Sequence, residues 1–278
     1  MGSHFVDVDG IRTHYLEAGS GPNVVLLHGG EFGGCSELSW EHNFNFLARQ
    51  FRVIAPDWLG YGQTAKLHDF EGAESRRVRH LQRFLALKHV NSAHFIGNSM
   101  GGSVLSRTLA HTHDAFSVRS LVLISAGGFA PENEWRRALT SYDGTMEGMR
   151  AIVAAMFFDP KWAADENYVS RRHRLSLVPG AWECAAASRF KNPQLPHRLD
   201  FGRPDETPYE AIQQPVLIIA GANDKLRKSN YTAEFAPRIP DVLVHEIPDC
   251  GHCPQIERAD IVNPMLKSWI LRQEGMTG

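Results

Sequence analysis

The segment Gly97-Asn98-Ser99-Met100-Gly101-Gly102 decides the fold. It ends the apolar run 94–97 and opens a stretch of helical composition over 100–110. A G-x-S-x-G match in that strand-to-helix setting reads as a sharp turn that lifts a serine hydroxyl above the end of a sheet. The flanking glycines let neighbouring backbone pass without a Cβ clash. Just past the serine, the first helical turn presents unbonded backbone N–H groups and a partial positive charge to a developing oxyanion. Ser99 is therefore the expected nucleophile. A Gly-rich turn that merely starts a helix is the plainer reading, and the surrounding pattern has to choose between them.

Outward from that turn, short apolar runs recur at 24–27, 52–55, 121–124, 216–220 and Val242–Ile247. They lack strict alternation, as strands buried on both faces of a parallel sheet do. Helix-length segments at 41–50, 75–87, 232–237 and 259–272 lie between or after them. This rhythm predicts an α/β chain with a mainly parallel, doubly wound sheet. Before it, 5–8 and 11–16, broken by Asp9-Gly10, read as a hairpin. The stretch 129–209 interrupts the rhythm with helical segments at 132–139, 146–157, 167–177 and 181–190 and no buried strand. We expect a core formed by 1–128 and 210–278, with 129–209 as a helical lid.

A serine of this kind needs a base and an acid. His252 follows the run Val242–Ile247, and Asp224 follows 216–220, so both project from carboxyl ends of parallel strands, as Ser99 does. The order Ser, Asp, His along the chain is the one this architecture uses. Asp249 is the competing acid, but three residues from His252 it suits the turn; Asp57 suits loop structure. The loop after 24–27 holds His28-Gly29-Gly30. The Gly30 and Met100 N–H groups are the expected oxyanion donors, each worth about 3–4 kcal/mol of barrier.

Composition sets the outer limits. Over 278 residues the formal charge is −2, with 43% hydrophobic and 22% charged residues, which asks for neither a nucleic-acid nor an anionic-membrane partner. No apolar run reaches the roughly 20 residues of a membrane span, and the first nine residues lack a secretory pattern. A cytoplasmic protein with four free thiols, Cys35, Cys184, Cys250 and Cys253, is expected. Cys250-Gly251-His252-Cys253 is formally C-x-x-C, but it brackets the expected base late in the chain and lacks further ligands for zinc. No metal site is expected, and without nucleotide-binding glycine patterns no cofactor either. Arg76-Arg77-Val78-Arg79-His80 reads as a solvated helix face. Trp135, Trp162, Trp182 and Phe157-Phe158 read as lid core, with one or two lining the pocket.

With His28-Gly29-Gly30, Pro56-Asp57-Trp58-Leu59-Gly60-Tyr61-Gly62-Gln63-Thr64, the serine segment and Cys250-Gly251-His252 in view, the chain resembles the α/β-hydrolase superfamily. Within it, Asn98-Ser99-Met100-Gly101-Gly102 resembles the meta-cleavage-product hydrolases, which break a carbon–carbon bond in ring-opened dienoates of aromatic catabolism. Arg172-His173-Arg174-Leu175-Ser176-Leu177-Val178-Pro179-Gly180 is similar to their lid segment. That resemblance implies that Arg172, or failing it Arg171, clamps a substrate carboxylate in the plane of its guanidinium. It further implies that Gly29, Asn98 and Cys253 border the substrate, a small molecule, and that the chain forms a homodimer or larger homo-oligomer. Those hydrolases usually carry tryptophan where this chain has Cys253, and glycine and proline where it has Glu31-Phe32. A carboxylate at Glu31 works against an anionic substrate unless it points away. A carboxylesterase or lactonase is the alternative the same triad would serve. Haloalkane dehalogenases and epoxide hydrolases need an aspartate where Ser99 stands. A non-catalytic receptor on the same fold is the alternative of another kind.

Overall fold

The computed structural model describes residues 2–187 and 201–276. Asp9 and Gly10, both with positive φ, close a two-residue turn between strands β1 (Gly2–Val8) and β2 (Ile11–Ala18), with Val8 opposite Ile11. Six further strands follow: β3 (Asn23–Leu27), β4 (Arg52–Pro56), β5 (Ala93–Asn98), β6 (Val118–Ile124), β7 (Val216–Gly221) and β8 (Val242–Ile247). They form one sheet in the order β1-β2-β4-β3-β5-β6-β7-β8, parallel from β4 through β8.

Alternation along each central strand divides the core into two layers. Val25, Leu27, Phe95, Leu121, Leu123 and Ile218 face one side, where α3 (Ala73–Leu87) and α4 (Met100–His111) cover them. Val24, Leu26, Ile96, Val122, Ile124 and Ile219 face the other. There they meet α1 (Ser36–Trp40) and α2 (Phe44–Leu47), and, from the carboxyl end of the chain, α11 (Ala259–Gln273). Between β6 and β7 lie α5 (Glu134–Thr140), α6 (Met146–Met156), α7 (Lys161–Ala164), α8 (Glu166–Ser176) and α9 (Ala181–Ala187). Asn133, Thr145 and Asp165 start α5, α6 and α8 by accepting backbone N–H bonds on their side chains. The positions 188–190 expected to extend the last of these helices lie outside the described residues. A short α10 (Pro254–Glu257) precedes α11.

Five expectations need correction. Of the helix expected over 41–50 only Phe44–Leu47 is helical, and buried Asn43 just before it donates to Gln255 O and Asn263 Oδ1 beneath α11. The segment 232–237 is two 3-10 turns, Tyr231–Glu234 and Ala236–Arg238, since Pro237 has no N–H to continue a helix. Strand β8 pairs only with β7 and is therefore an edge, with Leu243 and Val244 exposed rather than buried. The basic run is only half solvated. Arg77 sits over the Tyr61 ring and His80 bonds Thr13, both buried. In the insertion, Trp162, Trp182 and Phe157 join the core, whereas Trp135 and Phe158 are exposed.

Candidate active site

Chain order reverses at β3: β4 lies on one side of it and β5 on the other. In open α/β sheets the crevice at such a reversal receives the ligand. The loop after β3 carries Gly29 and Gly30, and the turn after β5 carries Ser99. Ser99 has φ 51° and ψ −115°, a conformation that costs a non-glycine residue on the order of 1–3 kcal/mol. Its N–H bonds Ile124 O at 2.9 Å, and α4 holds the exit. The turn is possible because Gly97 and Gly101 lack side chains. A Cβ on the first would strike the Gly101–Gly102 backbone, and one on the second the Leu27 and His28 carbonyls.

His252 and Asp224 reach the same edge from β8 and β7. His252 Nδ1 lies 2.7 Å from Asp224 Oδ2, and its Nε2 lies 2.8 Å from Ser99 Oγ. Burial alone would raise the Asp224 pKa, but His252, Arg227 and the Leu226 N–H together hold it below the usual range. An ionised Asp224 accepts, so Nδ1 donates and Nε2 is left to accept from the serine hydroxyl. Asp249 is exposed in a left-handed turn and takes no part. Asp57 is buried against His14 at 2.7 Å and accepts from Ser36 N and Gln63 N, which fixes its loop.

Gly30 lies against the Met100 side chain, since a Cβ on Gly30 would come 3.2 Å from Met100 Cβ. Tyr61 OH donates to Gly30 O, and Trp58 Nε1 to His28 O. His28 accepts the Trp58 N–H on Nε2 and donates from Nδ1 to Gly29 O. Burial lowers its pKa, so it braces the loop as a neutral ring.

The remaining site residues have internal duties. Asn98 donates to Ile124 O and His252 O, each at 3.3 Å, and so ties the histidine loop to β6. Cys253 is buried, and burial pushes its thiol pKa well up. Arg172 is fully buried in α8. Its Nη1 donates to Glu31 at 2.9 Å and its Nη2 to Tyr168 OH at 3.1 Å, while Nε has no partner among the described residues. Burial would raise the Glu31 pKa, but the Arg172 guanidinium overrides it and keeps that carboxyl low. Arg171 points elsewhere, to Glu41 at 2.9 Å.

Three contributors were not among the expected site residues. Glu257 accepts from Gly251, Phe158 and Asp159 N–H groups, joining the histidine loop to the insertion. Arg227 donates to the Ser125, Gly127 and Phe129 carbonyls, fastening the end of β6 to that of β7. Tyr61 orients the Gly30 peptide. An acid one turn past His252 was the clue available for Glu257. Among the described residues no His, Cys, Asp and Glu side chains cluster as a metal site, and no helix is long and apolar enough to cross a membrane.

Comparison with known proteins agrees with the fold. The alpha/beta hydrolase fold family matches residues 22–259. The 2-hydroxy-6-oxo-6-(2'-aminophenyl)hexa-2,4-dienoic acid hydrolase of Metapseudomonas resinovorans is 32% identical over 98% of this chain and 92% of its own. The 2-hydroxymuconate semialdehyde hydrolase of Pseudomonas sp. (strain CF600) is 30% identical over 90% and 87%. Among solved structures, the meta-cleavage product hydrolase of Pseudomonas fluorescens IP01 superposes with TM-score 0.86 at 26% identity, covering 97% of each chain. Strand order, the strained serine turn and this kinship converge: the chain belongs to the α/β-hydrolase fold family, beside hydrolases of ring-fission products.

Proposed function

We propose that the protein is a serine hydrolase that cleaves a carbon–carbon bond next to a ketone in a ring-fission dienoate. The observation that carries this reading is His252, held between Ser99 and Asp224 in a chain 32% identical to a dienoic acid hydrolase along nearly its whole length. In this scheme His252 assists the proton shift that converts the dienol to its keto form. Ser99, or a water polarised by the same base, then adds to the ketone, and the Gly30 and Met100 N–H groups hold the oxyanion. Collapse breaks the carbon–carbon bond. The electron pair leaves with the dienol fragment, which takes its proton from His252, and water completes the carboxylic acid product. The insertion acts as a lid, and the cofactor-free chemistry uses only the chain's own groups and water, on a small molecule in the cytoplasm.

One observation favours a second reading, a carboxylesterase. Arg172, the residue expected to clamp a substrate carboxylate, already holds Glu31. Comparing kcat/KM on a chromogenic ring-fission dienoate and on short p-nitrophenyl esters tests the pair. Preference for the dienoate supports carbon–carbon cleavage, and turnover of the esters alone would replace it with ester hydrolysis.

A further inference from the structure

We infer that Glu31 occupies the place of a substrate carboxylate on Arg172, so that a dienoate binds by displacing it and the site takes up a proton in doing so. The inference rests on the hydrolase reading above and names what sets its selectivity. Glu31 directly follows Gly30, one of the two oxyanion candidates, and its side chain is only 6% exposed. It folds back over Gly29, where a Cβ would collide with Oε2 and sit 3.3 Å from Asn98 Oδ1. The carboxylate therefore lies between the serine turn and the insertion, where a substrate's polar end would sit.

The groups facing Glu31 come from three elements. Arg172 and Tyr168 approach from α8, neutral His28 lies behind at the end of β3, and Cys253 comes from the loop after β8. Burial raises Tyr168 to about 12, so it stays a neutral hydroxyl, and burial keeps Cys253 a thiol. Arg172 is thus the one cation in this group. Its guanidinium also has a spare donor, since the buried Nε is unpartnered among the described residues. A second carboxylate can be received only on that guanidinium. Two carboxylates on one cation in a water-poor space do not both stay ionised. The incoming acid takes the planar contact, and Glu31, having released it, takes a proton from solvent.

The sign follows from linkage. In the free protein the Glu31 pKa lies low; beside a bound carboxylate it is raised. Between the two values, binding adds one proton, so affinity rises about tenfold for each pH unit lowered. Hexa-2,4-dienoate and its isosteric amide are suitable probes, because neither has the ketone the reaction needs. Calorimetric titrations in two buffers of different ionisation enthalpy, from about pH 6 to about pH 7.5, give affinity and proton uptake together. The wild type should take up about one proton with the dienoate and none with the amide. Glu31→Gln should bind the dienoate at least about tenfold more tightly at the upper pH, with no uptake and a flat profile. Glu31→Asp, which keeps the charge on a shorter arm, should bind more tightly than wild type and still take up the proton. A flat wild-type profile, no proton uptake, a Glu31→Gln profile like wild type, or no dienoate binding at about pH 6 would each overturn the inference. The hydrolase reading is judged separately: it fails if the wild type turns over short p-nitrophenyl esters but no ring-fission dienoate.

Discussion

At the strand ends, Ser99, His252 and Asp224 are joined by bonds of 2.8 and 2.7 Å, and each leaves a strand of the central sheet within five residues of its end. Across the same crevice, Glu31 and Arg172 make an ion pair of 2.9 Å between residues 141 positions apart, one in a core loop and one in the insertion. The strands bring the first group together, and the insertion braces its histidine loop through Met156 O and Glu257. The second is positioned by the docking of one region on another. In the proposed reading the sheet places the chemistry and the insertion contributes to recognition, an arrangement by which one fold can serve many substrates.

The comparison can be broken from its stronger side first. Ser99→Ala should lower kcat by about 10⁵-fold or more with the melting temperature unchanged, read by steady-state assay and thermal unfolding. Turnover near wild type would remove Ser99 from the chemistry. Asp224→Asn should cost about 10⁴-fold by turning the His252 ring to the wrong tautomer, and an unaffected rate would leave the strand-end group without its acid. Asp57→Ala touches the frame beneath both groups. It removes the partner of buried His14 and should cost about 3–5 kcal/mol at neutral pH in denaturant unfolding. The Asp57 carboxyl is held low against the opposing effect of burial, chiefly by His14. Its contribution is complete above the ordinary aspartate range and fades as pH falls through the lowered native value, so the gap between variant and wild type should narrow on acidification. Tyr61→Phe frees the Gly30 peptide and should lower kcat about tenfold with little change in KM. Glu41→Gln breaks the half-exposed bond to Arg171 and should change stability by less than about 1 kcal/mol.

The sheet-positioned half was readable because its signals are local. A turn between two glycines, an aspartate and a histidine after apolar runs, and their order along the chain are all contained in short windows. The hairpin, the parallel strands and the insertion between β6 and β7 follow from the same periodicities. What escaped depends on distance. Nothing near Glu31 announces Arg172, and nothing near Asn43 announces its partners Gln255 and Asn263. Strand β8 reads as interior because its residues are apolar, although topology leaves it without an outer neighbour. Arg227 and Glu257 escaped for a subtler reason: their partners are backbone groups, which have no identity in a sequence.

One bond bears on how the protein comes to life. The His252 N–H is held at 2.7 Å by Met156 O, and Gly251 packs so closely on 156–158 that no side chain fits there. A ribosome delivers Ser99 well before His252, which lies 153 positions further along the chain. Even once both are made, the His252 loop lacks this brace until α6 has docked. If His252 activates Ser99 as proposed, the hydroxyl stays an ordinary alcohol until the insertion closes on the core.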